Sequence, residues 1–81
     1  MRALEEGELL RYRLELRKVD QQLDDLHADI GERTIELHDC GEATERILSD
    51  SEVGRMMQQI RMLQDERTKL LLEMNDITVE T

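Results

Sequence analysis

Soft metal ligands are scarce in this sequence: His27, His38 and Cys40 are all it has. Asp24 and His27 stand three residues apart, the spacing used in di-metal helical bundles, but such centres need paired motifs and a carboxylate from each of several helices. Here the motif occurs once, and both residues fall beside the apolar seam of their helix. His38 and Cys40 lie about 200° apart around a helix, which prevents them from holding one ion. We expect no metal and no cofactor, with Cys40 acting as a small buried apolar residue. Neither histidine has a nucleophile at hand, the glycines at 7, 31, 41 and 54 form no phosphate-cradling loop, and two helices enclose no pocket of substrate size. Catalysis is not expected.

Arginine is the other residue type with chemistry to offer, and Arg33 and Arg67 are the charged members of two mostly apolar series. The first runs Leu9, Tyr12, Leu16, Val19, Leu23, Leu26, Ile30, Arg33, Leu37, Cys40, Thr44 and Ile47. The second runs Val53, Met56, Ile60, Leu63, Arg67, Leu70, Met74 and Ile77. Alternate steps of three and four make the seam of a coiled coil, whose knobs need a facing helix. The two series are out of phase by an offset that neither a stutter nor a stammer produces. A chain reversal explains it.

Ser49 and Glu52 have capping-box spacing, with Asp50 as an alternative N-cap, so the turn is placed at 49–52. Reversal about residue 50 pairs Ile47 with Val53, Cys40 with Ile60, Leu37 with Leu63, Ile30 with Leu70, Leu26 with Met74 and Leu23 with Ile77. It also sets Arg33 opposite Arg67, a polar layer that fixes register or grips a carboxylate from another chain. A rival turn at Gly41, after His38 and Asp39, has a suitable C-cap glycine but leaves Thr44 to Ile47 without a role.

The composition agrees with long charged helices. In 81 residues there are no Pro, Phe or Trp and a single aromatic, Tyr12, while 38% of the chain is charged. An all-β fold lacks its materials. The expected fold is all-α: an antiparallel helical hairpin, a coiled coil, that dimerises into a four-helix bundle. Residues 1–18 form a helical overhang, 19–48 the first hairpin helix, 49–52 the turn and 53–81 the second helix. Eleven Lys and Arg against twenty Asp and Glu give a net charge of -9, which disfavours nucleic acid. No apolar run approaches the ~20 residues of a membrane span, and the first ten residues hold acids where a secretory signal is cationic. With one cysteine unable to form an internal disulfide, the chain is assigned to the cytoplasm.

The remaining signals concern interfaces. In the expected register the overhang leaves Leu4, Leu9, Leu10, Tyr12, Leu14 and Leu16 uncovered, while Leu71, Leu72 and Val79 add apolar surface on the second helix. Exposed leucines attract a partner. Arg11, Arg13, Arg17 and Lys18 make that segment basic against the acids from Asp20 to Glu45, which suits an antiparallel homodimer. Met56, Met57 and Met62, with Leu48, offer an adaptable tip or ordinary packing. The function expected is a non-enzymatic coiled-coil scaffold or interaction module that self-associates. The alternative is a small acidic adaptor or chaperone that binds a helical client.

Overall fold

The computed structural model describes the backbone of residues 6–79 and the side chains of residues 7–74. Leu4 lies outside them, as do the side chains of Ile77 and Val79. Two long antiparallel helices, α1 (Glu6–Asp39) and α3 (Ser51–Val79), flank a one-turn helix, α2 (Thr44–Leu48). Among the described residues there is no strand. The chain is a rod of 59 × 17 × 14 Å. Its radius of gyration is 17.8 Å, against about 12 Å for a compact chain of this length.

The first helix ends earlier than the seam alone implies. Gly41 takes φ +83°, in the left-handed region where a side chain is strained. Its N–H donates to the His38 carbonyl at 2.9 Å, and the Glu42 N–H donates to the Leu37 carbonyl at 3.1 Å. These two bonds form a Schellman motif, which satisfies the last carbonyls of α1 and turns the chain out of it. The expected continuous helix over 19–48 is therefore corrected: α1 stops at Asp39, and nothing interrupts it at residue 18. Thr44 to Ile47 have a role after all, because α2 packs against both long helices and buries Ile47.

Helix α3 begins at Asp50, not at Ser49. One Asp50 carboxylate oxygen accepts the Val53 N–H at 3.1 Å, and the Asp50 carbonyl accepts the Gly54 N–H at 2.9 Å. That is N-cap geometry, with the orphan donor of the first turn satisfied by a side chain. The Ser49 hydroxyl instead donates back to the Arg46 carbonyl at 3.2 Å.

An earlier exit from α1 changes the pairing of the helices. Arg67 meets Asp20 at 2.7 Å, and Arg33 meets Asp50 at 3.1 Å and Glu52 at 3.3 Å. Leu26 lines one groove with Gln59 and Leu63. The partner of Arg67 has thus moved from Arg33 to Asp20, a displacement of about two heptads. A shift by whole heptads keeps each seam residue facing a seam, so the apolar series interlock as well as before. Val19, Leu23 and Ile60 form the core, with Leu26, Ile30, Leu63 and Leu70 packed on it.

With that shift α3 runs back alongside α1 past residue 18, so no N-terminal overhang is left among the described residues. Val19, at its expected edge, is the most buried residue at 2% exposure. Leu9, Tyr12 and Leu16 are half-buried.

Candidate functional site

Three regions hold the residues with chemistry to offer: the closed end of the hairpin and its two long sides. At the closed end, Arg33 stands on the last turns of α1, where its side chain reaches across to the start of α3. Its Nε and Nη2 donate to the two Asp50 carboxylate oxygens at 3.3 and 3.1 Å, a bidentate fork. Glu52 at 3.3 Å and Glu36 at 3.7 Å complete the shell. Asp50 thereby holds α1 with one set of contacts and caps α3 with another. Hydrogen bonding to Arg33, and then to the Val53 N–H, pulls the Asp50 carboxyl below its ordinary pKa. The same hydrogen bond raises the Arg33 guanidinium above its own. Both shifts favour the charged pair.

This arrangement replaces the expected polar layer. Arg33 and Arg67 do not face each other: Arg67 sits on Asp20, thirteen residues before Arg33 on α1, or about 20 Å along the axis. Each guanidinium has its own carboxylates. The Asp20–Arg67 pair is half-exposed, where ion pairs contribute little.

The expected interface residues divide in the same way. Leu9, Tyr12 and Leu16, in the apolar series, are half-buried. Leu10 (57% exposed), Leu14 (54%), Leu71 (40%) and Leu72 (57%) are left to solvent at the open end. The methionines divide too: Met56 is buried, Met57 half-buried, and Met62 exposed, as is Leu48.

Cys40 is exposed, a correction to its expected burial that follows from the helix ending beside it. Asp24, His27 and His38 are exposed as well. Among the described residues no group of three metal-ligating side chains converges. Among the described residues no helix is long and apolar enough to cross a membrane.

The two sides of the hairpin differ in charge. One is marked by two shallow grooves between α1 and α3. Asp25, Asp29 and Glu66 rim the first, over a floor of Leu26 and Leu63, and Glu32, Glu36 and Glu52 rim the second. By helical periodicity the opposite side carries Leu10, Arg13, Arg17, Asp20, Asp24 and Gly31 from α1. From α3 it carries Gly54, Met57, Arg61, Gln64 and Leu71. Acids dominate the first side, whereas the second is weakly charged, with Arg13 and Arg17 toward the open end and Asp24 and Arg61 toward the middle.

Sequence reasoning missed both the Arg33–Asp50 fork and this two-sidedness. The signals were present: Asp50 had been noted as a cap, and the sides follow from the heptad positions once the helices are paired. Comparison with protein-family models, curated proteins and solved structures finds no match for the chain.

Proposed function

We propose that the chain is a non-enzymatic coiled-coil module that acts by binding protein surfaces, and that its first partner is itself. The observation that carries the reading is the set of four leucines, Leu10, Leu14, Leu71 and Leu72, exposed at the open end of the hairpin. Surface area supports it. The chain presents 6358 Å² to solvent, while a compact monomer of 9.6 kDa presents about 5,100 Å². That excess is of the order that one partner buries in a substantial interface. Two helices have no second layer to pack against, and a second hairpin supplies one as a four-helix bundle. A cytoplasmic setting fits the unpaired Cys40.

Light-scattering mass over a range of concentrations tests the proposal. A discrete dimer of about 19 kDa with concentration-dependent helicity is the expected result. A fully helical monomer at millimolar concentration rejects self-association and moves the reading to an adaptor for a foreign helical client.

A further inference from the structure

Charge on the weakly charged side selects one way for a second copy to sit there. Arg17 and Asp24 are exposed and enter none of the ion pairs found among the described residues. They share a face of α1 but stand seven residues apart, about 10 Å along the helix, beyond the three- or four-residue spacing at which charges pair on one helix.

A parallel two-fold arrangement would set α1 of each copy on α3 of the other and leave Arg17 and Asp24 of the two copies apart. Contact through the other side would set Asp25, Asp29, Glu32 and Glu36 of one copy against a second acidic surface, and like charges in close contact oppose association. An antiparallel arrangement through the weakly charged side avoids both, and the Asp20 carboxylates that it brings near the axis are each already paired with Arg67 of their own copy. With a two-fold axis between Asp20 and Gln21, α1 lies on α1 and α3 on α3. Arg17 of each copy then meets Asp24 of the other, and Leu10 meets Gly31 of the other. A Cβ added at Gly31 would meet nothing within 4 Å inside its own chain, so the hairpin itself leaves room there. On the facing α3 helices, Leu71 reaches the level between Met57 and Arg61 of the second copy.

We infer that two copies of the chain associate antiparallel through this side, with Arg17 of each paired to Asp24 of the other and Leu10 seated on Gly31 of the other. The inference rests on the self-association proposed above and specifies its face and register. A two-fold axis makes the contact self-complementary and closes the assembly at two. Because the net charge of -9 on each copy opposes association, the attraction has to be local, and the Arg17–Asp24 contact occurs twice.

The test is sedimentation equilibrium on the full chain, with circular dichroism to verify that each variant stays helical. Arg17→Glu and Asp24→Arg should each weaken dimerisation about tenfold or more. The double variant R17E/D24R should recover most of the wild-type association, since the reversed charges again meet across the axis. Met62→Glu, on the acidic side, should leave the dimer intact. If single reversals have no effect, or the double variant is no better than the singles, this register is wrong. A dimer that resists both reversals but is lost on Met62→Glu overturns the face while leaving self-association in place. A helical monomer at every concentration overturns self-association itself.

Discussion

The two ends of the hairpin are built from the same kinds of residue and use them in opposite ways. At the closed end, a Schellman turn, a one-turn helix with Ile47 buried, and an Arg33–Asp50 fork tie three elements together within a few residues. Ile47, Val53 and Met56 are each less than a tenth exposed there. At the open end the leucines outside the seam stay in solvent, and among the described residues no loop crosses between the helices to cover them. Chain connectivity lets the core of the closed end satisfy itself, although Ile35 and Leu48 stay exposed beside it.

Substitutions at matched positions should break that contrast most strongly. Val53, at 3% exposure, lies in the first turn of α3, and Val53→Asp buries an unpaired carboxylate, a change worth about 3 kcal/mol or more. A chain of this size has roughly 4 to 12 kcal/mol in total, and so thin a core places it toward the low end. Val53→Asp should therefore leave much of the population unfolded by circular dichroism, while Leu72→Asp at the open end should keep the hairpin helical. Similar loss of helix from both would show that the ends do not differ as described.

Gly41→Ala addresses the turn itself. No atom lies within 4 Å of the added methyl, so the penalty comes from the backbone alone. About 1 to 2 kcal/mol is expected from a left-handed φ. A D-alanine at 41, introduced by chemical ligation, carries the same methyl with the opposite backbone preference. It should match or exceed the wild type in urea titration. If L- and D-alanine behave alike, the positive φ is not what the turn requires.

Much of the fold was legible in the sequence, and what was not has a physical cause. Membership of the seam was readable because burial imposes the three-four spacing: Val19, Leu23, Val53, Met56 and Ile60 were all placed in it. Register was not, because heptads are degenerate, and a slide of two repeats exchanges one set of apolar partners for another at no loss in pattern. Only the helix end distinguishes the two registers. The glycine that sets it, Gly41, was set aside because Thr44 to Ile47 had no assigned place. A one-turn helix gives them one, and such short plugs leave no periodicity to detect. Arg33 and Arg67 were misassigned for the same reason, since any partner assigned through the register moves with it. Leu71 and Leu72 were placed on the outer side of the second helix, where exposure does not depend on register, whereas Leu10 and Leu14 were picked as part of an overhang and are exposed for another reason, their positions outside the seam.

Gly31→Ala should separate the hairpin from its proposed assembly by giving effects of opposite sign. Alanine is favoured over glycine inside a helix by about 1 kcal/mol, and the methyl meets no atom of its own chain. At dilutions where the chain is monomeric, the variant should resist urea better than the wild type. At high concentration it should dimerise less well, because the methyl occupies the space assigned to Leu10 of the second copy. Stabilisation at both concentrations would remove Gly31 from the interface.

The smallest effect is expected from Asp50→Asn, which probes how the closed end is held. Asparagine caps a helix about as well as aspartate, so the Val53 N–H keeps an acceptor, while the charge facing Arg33 and one of the two acceptor oxygens of the fork are lost. Glu52 and Glu36, also within reach of Arg33, offset part of that loss. Asp50 titrates below its unfolded value because the Arg33 hydrogen bond, and then the Val53 N–H, favour its carboxylate. The folded chain therefore binds this proton less readily than the unfolded one, and the pair's contribution is fully present above the unfolded carboxyl pKa of about 4. It declines as pH falls below that value and is gone once pH passes beneath the depressed folded pKa. The wild type should melt above Asp50→Asn at pH 7, and the gap should close during acid titration between about pH 4 and the folded value. The other carboxylates are common to both chains and drop out of the difference. A gap that persists undiminished to pH 2 would mean that the Asp50 charge contributes nothing and that the substitution acts through packing at the cap.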